Sequence, residues 1–421
     1  MGNPVMDNRF QVRLNVCKSG KCANLGVADA PDYVWPVFRL GYPALGCGKC
    51  GSLPPLFNEA ECNDWFAQLF ARHLGLTGQG CPRGCMARLI RYGANRSGSP
   101  RLQCTACGLA FTPLRVNLVA QARREQLFAA LAAGRHHADI TAYRVLNQAA
   151  VWCESQFSDA EHPVSRIATQ VFTLPFQGVR RQQRLYVIVS ADADSGRVVQ
   201  ISTNYSPWPV GDSLRYPSDS QALAEPRDVP LVERVRAAEQ HFLARSQFDA
   251  IRYGSAALKR NDSGAMVRPV IALHGHFQRL KRRFAAVTDH YLAHECVLRG
   301  AAITAWAPEV KAGSTHLWFV VEEGESDAGA LWHPGGSWRL GWWNNHWQLW
   351  ENATARKMVA RLTGNSQDYP PQRVTLQSCA AFIQWLERHP WRRISGQLNA
   401  RVISQQLACL AWCYNYVSVS L

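Results

Sequence analysis

The sequence lacks any uninterrupted apolar stretch of about 18 residues, the length that a membrane-spanning helix requires. A Lys-rich amphipathic anchor and a secretory signal are also missing, and there is no low-complexity tract. These absences exclude an integral membrane protein, and we expect no membrane partner. They favour a soluble cytoplasmic protein.

Acidic residues are scarce relative to basic ones. The 421 residues include 46 Lys and Arg against 31 Asp and Glu, which gives a formal net charge of +15. This excess favours a polyanionic partner, with nucleic acid as the first candidate, and predicts association with the nucleoid. Apolar residues make up 47% of a chain long enough for two or three domains, so most of it should be globular.

Four cysteines in two closely spaced pairs define the most informative segment. One pair is Cys81 and Cys85, the other is Cys104 and Cys107, and a polar stretch with glycines separates them. This number and spacing of ligands is typical of a zinc ribbon, in which both pairs bind one ion. A pair of disulfides is the alternative, but the chain uses cysteine as a cytosolic protein does.

The same segment has no acidic residue. Residues 81–124 include eight arginines and no Asp or Glu. Positive charge of this density is typical of surfaces that bind phosphate groups. The arginines predicted to contact DNA are Arg83, Arg88, Arg91, Arg96 and Arg101.

A further set of paired cysteines precedes this segment, and its members are Cys17, Cys22, Cys47 and Cys50. We expect a first zinc ribbon here, so that the chain would hold two structural Zn²⁺ ions. Free thiols buried in a small core are the alternative. Between the two sets, residues 58–74 have apolar side chains at helical spacing, which predicts a helix packed between the modules.

A resemblance to a known family rests on residues 92–112. Tyr92 and Gly93 are followed by a basic hairpin, the motif Cys-Thr-Ala-Cys-Gly and a terminal Phe-Thr. This pattern resembles the zinc-binding N-terminal module of bacterial insertion-sequence transposases. Residues 184–202 predict a β-hairpin with an Asp-Ser-Gly turn, which resembles the second and third strands of the RNase H-like core of transposases and integrases. The predicted helix at 395–417 resembles their closing helix.

The resemblance implies an α/β fold, in which an RNase H-like mixed sheet follows N-terminal zinc ribbons and a helical DNA-binding segment. Double-stranded DNA would be the partner, and a homodimer is compatible with this. The implied division of the chain is 1–80 for the first ribbon and a helix, 81–115 for the basic ribbon, 116–164 for the helical segment, 165–362 for the RNase H-like domain with insertions, and 363–421 for a C-terminal helical segment.

Catalysis in such a core requires three carboxylates, because they hold the two Mg²⁺ ions that activate the nucleophile and stabilise the leaving oxygen. The strand expected to hold the first acid, residues 170–176, has none. The candidates that the resemblance implies are Asp192, Asp194, Glu295 and Glu351. For Asp194 the alternative is a residue that only forms the turn. Glu351 is expected to open a helix over residues 352–362.

Two helical segments could also contact DNA. Residues 138–155 predict a helix-turn-helix with its turn near Leu146, which would place Asn147 and Gln148 against base edges. A plain helical hairpin is the alternative. Residues 266–284 predict an amphipathic helix with His274 and His276 on the surface.

That second helix ends in a cluster of cations predicted to contact phosphates, namely Arg279, Lys281, Arg282 and Arg283. A solvated helix face, with cations that favour the helix C-terminus, is the alternative.

A third candidate surface is aromatic. Residues 331–350 are rich in tryptophan and contain two turn signals, Gly-Gly and Asn-Asn. They predict hairpin packing against a sheet, with stacking on unpaired bases as the alternative. The tryptophans concerned are Trp332, Trp338, Trp342, Trp343, Trp347 and Trp350.

The sequence therefore favours a transposase-like, zinc-containing DNA-binding protein, which would cleave and transfer DNA strands if its acidic site is intact. One alternative is a catalytically inactive DNA-binding regulator that descends from a transposase. Another is an RNA-binding zinc protein, in which the ribbons and tryptophans would grip single strands.

Overall fold

The computed structural model describes residues 11–39, 42–85, 87–113, 118–136, 140–157, 163–179, 183–216, 229–244, 258, 264–324, 330–341, 343–364 and 369–417. In these ranges the chain is a mixed α/β protein, in which two cysteine-rich modules precede one large sheet. None of the helices described combines enough length with enough hydrophobicity to cross a bilayer.

Short strands build the two cysteine-rich modules, and longer ones build the sheet. The strands of the modules are β1 (Tyr33–Val37), β2 (Ala44–Cys47), β3 (Leu89–Ala94), β4 (Pro100–Cys104) and β5 (Ala110–Phe111). The strands that follow are β6 (Arg166–Pro175), β7 (Arg184–Asp192), β8 (Val198–Thr203), β9 (Tyr205–Ser206), β10 (Ala265–Met266), β11 (Asp289–Ala293), β12 (His316–Gly324), β13 (His333–Leu340), β14 (Asn345–Glu351) and β15 (Ala355–Arg361).

Helices connect the modules to the sheet and cover it. They are α1 (Glu59–Thr77), α2 (Leu118–Ala132), α3 (Ile140–Gln156), α4 (Leu231–Ala244), α5 (Pro269–Arg283), α6 (Cys296–Ala305), α7 (Ala307–Ala312), α8 (Gln377–Arg388), α9 (Arg392–Ser395) and α10 (Ala400–Val417). The helix predicted at 58–74 is α1, and α2 lies in the predicted helical segment 116–164. Asn58 caps α1 by accepting a hydrogen bond from the Glu61 amide.

The large sheet has the strand order β13-β14-β15-β12-β11-β6-β7-β8. β6, β7 and β8 form an antiparallel meander, while β11 is parallel to β6 and β12 is parallel to β11. β15, β14 and β13 extend the other side as antiparallel strands. β7 is buried over nearly its whole length. A continuous apolar sequence such as that of β7 is typical of a strand covered on both faces.

Helix α5 packs on the sheet through His276. The two ring nitrogens of His276 lie 2.8 Å from Ser190 Oγ of β7 and 2.9 Å from Ser202 Oγ of β8. His274 and His276 are both almost fully buried, so their predicted surface position is wrong. The helix also begins at Pro269 instead of residue 266, because Met266 pairs with Tyr205 between β10 and β9.

Helix α3 is continuous where a helix-turn-helix was predicted. It runs without interruption from Ile140 to Gln156, so the turn expected near Leu146 is wrong; residues 137–139 lie outside the described ranges. The buried side chains Leu146, Ala149 and Cys153 form one apolar stripe, and no Gly or Pro breaks it. This stripe packs α3 along α10.

The tryptophan-rich segment forms the hairpin that its turns predicted. β13 pairs antiparallel with β14, Trp338 lies opposite Trp347, and the Trp347 side chain is fully buried; Trp342 is outside the described ranges. The helix predicted at 352–362 is wrong, because Asn352 forms a turn and β15 follows. At the end of the chain, Asn399 caps α10, so the closing helix starts later than predicted.

Candidate metal centres and nucleic-acid interface

The first cysteine cluster consists of Cys17, Cys22, Cys47 and Cys50, whose sulfur atoms all lie within 4.8 Å of one another. The Cys17 and Cys50 sulfurs are 3.5 Å apart, and those of Cys22 and Cys47 are 3.8 Å apart. Asn24 supports the ligands, since its backbone amide donates to Cys22 Sγ and its side chain donates to Cys47 Sγ. The structure thus brings the four cysteines together as their spacing predicted.

The second cysteine cluster consists of Cys81, Cys85, Cys104 and Cys107, also within 4.8 Å. The sulfurs of Cys81 and Cys107 are 3.6 Å apart, and the Arg83 amide donates to Cys81 Sγ. Gly84 lies directly against the Ala67 backbone of α1 with φ 81°, a conformation and a contact that a Cβ would not allow. This contact fixes the cluster on α1.

Both clusters have the geometry that one tetrahedral metal ion requires. A Zn–S bond of about 2.3 Å places the sulfurs of a tetrahedron about 3.8 Å apart, close to the measured separations. Burial raises the pKa of Cys81 to about 11, because low-polarity surroundings disfavour the thiolate. A bound cation would offset this effect of burial, because its positive charge stabilises the thiolates. Four thiol donors fit Zn²⁺, which would act here as a structural ion.

The first module is docked onto the α/β body. Gly26, with φ 67°, lies so close to Ala307 of α7 that an added Cβ would come within 2.4 Å of the alanine methyl. Lys311 of the same helix donates to the Ala23 carbonyl oxygen at 3.0 Å. The loop that holds two of the four ligands is therefore part of the packed body.

The predicted DNA-contacting arginines of the second module form a solvated surface, which we call the basic face. Arg83, Arg88, Arg91 and Arg96 are exposed, and Arg101 is half-buried with its guanidinium 5.4 Å from the centre of the Tyr92 ring. Among the described residues none of the five is in an ion pair. Arg91 and Arg96 lie on the β3–β4 hairpin, and Tyr92 is 47% exposed beside them.

The cations of α5 do not form a comparable surface. Arg279 is only 7% exposed and pairs with the buried carboxylate of Glu154 on α3 at 3.1 Å. Arg283 donates to the Glu154 carbonyl oxygen, and Lys281 pairs with Glu309. Arg282 stacks over Phe70 with its guanidinium 4.0 Å from the ring centre. The predicted phosphate cluster is therefore largely a set of internal contacts.

Asn147 is likewise engaged inside the fold. Its side-chain oxygen accepts a hydrogen bond from Gln405 of α10 at 2.9 Å, while Gln148 is exposed on α3. Because α3 is one helix packed on α10, it does not present the two residues as a recognition helix would.

Asp192 and Asp194 form the turn between β7 and β8. The Asp192 carboxylate accepts hydrogen bonds from the Ser195 amide and hydroxyl, and Asp194 pairs with Arg166. Asp192 lies opposite Ile167, at the start of β6, and therefore at the amino end of the parallel strands. Turn formation accounts for both aspartates.

The other candidate acids lie elsewhere. Glu295 is 3% exposed and follows the carboxyl end of β11, at the opposite edge of the sheet from Asp192. Glu351 ends β14 and pairs with Arg356. The structure does not bring these four acids together, and within the described ranges only the two cysteine clusters have the arrangement of a metal site.

Two features near Glu295 were not predicted. His294 Nε2 lies 3.1 Å from the Glu239 carboxylate of α4, and both side chains are buried. Arg299 of α6 lines a basic pocket between the first module and the β13–β14 hairpin. The sequence gives no local signal for either, because their partners lie far away in the chain.

No family model matches the sequence, and no curated protein does. Among solved structures the chain is similar to a piggyBac transposase in a cryo-EM synaptic complex with hairpin DNA, at 8% identity and a TM-score of 0.28. The similarity covers 64% of this chain and 51% of that one, so the chain spans about half the length of the transposase. Similarity at this level does not show a shared fold.

Proposed function

We propose that this chain is a transposase-like, zinc-stabilised protein that binds duplex DNA through the basic face of its second module. The observation that supports this most directly is the group of solvated arginines on a module with no acidic residue. Unpaired arginines bind phosphate groups and release counterions from DNA, which is the main source of affinity for a duplex. The metal ion would hold the hairpin that presents them.

We also propose an RNase H-like core, as the resemblance of the hairpin at 184–202 implies. The support is the order of five strands, in which the meander β6-β7-β8 is followed by β11 and then β12, both parallel to β6. Helices α5 and α6 connect these strands in the places that the resemblance implies.

For the reaction, we propose binding without strand transfer. β6 has no acid, and the described residues bring no three carboxylates within reach of one ion. Two-metal chemistry needs such a set. In an Mg²⁺ or Mn²⁺ nicking and strand-transfer assay on DNA that flanks the gene, the wild type is expected to bind DNA without cutting it. Metal-dependent cleavage that is lost in Glu295→Ala would contradict this proposal.

Neutralising the basic face should weaken DNA binding. Replacing Arg91, Arg96 and Arg88 by alanine together is expected to lower the salt dependence, the slope of log K against log[salt], by about 3. The measurement is fluorescence anisotropy with duplex DNA from 50 to 200 mM salt. Arg388→Ala, an exposed arginine on α8, is the matched control and should change little.

The same titration distinguishes the proposed binding of duplex DNA from the alternative, binding of RNA. Duplex DNA is expected to bind more tightly than single-stranded RNA of equal length and at equal salt. A clear preference for RNA, or unchanged duplex affinity in the triple variant, would contradict the proposed function.

A further inference from the structure

A strongly basic pocket of about 310 Å³ lies between the first module and the edge of the large sheet. It is bordered by the loop Ser19 to Lys21, by α6, by the turn between β13 and β14, and by the end of β15. Its cationic lining residues are Lys21, Arg299, Arg339 and Arg361, and none of its described lining residues is acidic. An anion would therefore meet only complementary charge in it.

Arg299 is the central observation. Its side chain is 3% exposed, and its guanidinium stacks 4.0 Å from the centre of the Trp343 ring. Within the described part of the chain no carboxylate is in ion-pair distance of it, and its Nε has no hydrogen-bond partner. Burial lowers the pKa of Arg299 to about 10, so the group stays charged at neutral pH. A buried charge is costly unless an opposite charge or hydrogen bonds compensate it.

Asn345 adds an independent sign of a ligand. It is 7% exposed, it lines the same pocket, and its side-chain Nδ2 has no acceptor among the described residues. Buried amide donors are normally hydrogen-bonded. Two buried donors without acceptors at one basic pocket indicate a missing acceptor with several oxygen atoms.

The chemistry of the lining selects the ligand. A guanidinium matches a phosphate through paired N–H donors, and stacking on an indole fixes its plane. The volume exceeds that of a phosphate ion alone, and Trp343, 37% exposed, offers a further aromatic surface for a base. We propose that this pocket binds the phosphate of a nucleotide, either a free nucleotide or the terminal nucleotide of a DNA strand.

The first cysteine cluster offers another account of Arg299. Cys17, the buried carboxylate of Glu239 and Cys50 act on Arg299 through space and favour its charged form, and a Zn²⁺ bound by four thiolates keeps a net negative charge. That interaction would explain the buried guanidinium, but it supplies no acceptor for Asn345. The experiment separates the two roles.

Isothermal titration calorimetry on the full-length zinc-loaded chain tests the proposal with dAMP, deoxyadenosine, inorganic phosphate and a 5′-phosphorylated oligonucleotide. The wild type is expected to bind dAMP and phosphate but not deoxyadenosine. Lys21→Gln and Arg339→Gln, both at exposed positions, are expected to weaken dAMP binding at least threefold. Arg299→Gln should weaken it at least tenfold if the variant folds, and the exposed variants decide the matter if it does not.

Three outcomes would contradict the proposed nucleotide site. The wild-type chain could bind none of the phosphate-bearing probes, or it could bind dAMP and deoxyadenosine with equal affinity. The third outcome is unchanged dAMP binding in the Lys21 and Arg339 variants. Zinc loss in Arg299→Gln without dAMP binding by the wild type would assign Arg299 to the cysteine cluster.

Different measurements identify the source of the phosphate and test the proposed function. Tighter binding of the phosphorylated oligonucleotide than of dAMP would identify a strand end as the ligand, an assignment that rests on the proposed DNA binding. The triple variant of the basic face should keep its dAMP affinity, so failure of the pocket and failure of the basic face are distinguishable.

Discussion

Substitution of Cys104 by serine is expected to release one Zn²⁺ ion and unfold the second module. Zinc binding by four thiolates contributes roughly 10–16 kcal/mol to the folding of small zinc modules, far more than the small core of strands β3, β4 and β5 can replace. Metal analysis of the purified chain should find both clusters loaded in the wild type. The variant should retain only the ion of the first cluster and lose duplex binding.

Cys413→Ser is the matched control, because Cys413 is half-buried in α10 and outside both clusters. It should keep both ions. Cys47→Ser should lose the other ion while the basic face stays folded. Clearly fewer than two zinc ions per wild-type chain would contradict the assignment of one ion to each cluster.

Replacing Glu154 by leucine is expected to lower the free energy of unfolding by about 3–5 kcal/mol, because it leaves buried guanidinium groups without their carboxylate. The Glu154 carboxylate pairs with Arg279 at 3.1 Å and with Arg72 of α1 at 3.3 Å. Urea denaturation followed by tryptophan fluorescence measures the change.

A surface ion pair provides the comparison. Glu387 of α8 pairs with Arg392 at 2.8 Å, but both side chains are substantially solvated, so Glu387→Leu should cost less than about 1 kcal/mol. If the two leucine variants had similar stability, Glu154 would not organise the packing of α1, α3 and α5.

The features that the sequence predicted correctly are those whose signal lies within a short stretch of the chain. The spacing of the eight cysteines predicted their grouping correctly, because ligands of one ion must come from two tight turns. The hairpin at 184–202 followed from a continuous apolar run that ends in Asp-Ser-Gly. In both cases the signal is local.

The failures share a different cause. Arg279 looked like part of a surface because its partner Glu154 lies 125 residues earlier in the chain, and a sequence displays a charge without its partner. The turn predicted in α3 was wrong because an apolar stripe shared with α10 outweighed a weak motif. Glu351 was expected to open a helix because the short apolar run of β15 is too brief for its periodicity to distinguish a strand from a helix.

Helix α1 touches both cysteine modules. Near its start, the Glu59 carboxylate accepts hydrogen bonds from the Leu14 and Asn15 amides of the first module, and further along Ala67 meets Gly84 of the second. Trp65 between them donates to Ser206 of the α/β body at 3.1 Å. The second module thus follows α1 in the chain and also packs back on it. Inserting one residue after Phe70 would turn the attachment of the module by about 100° while Ala67 stays in place, so the attachment and the contact of Gly84 with Ala67 could not both be kept.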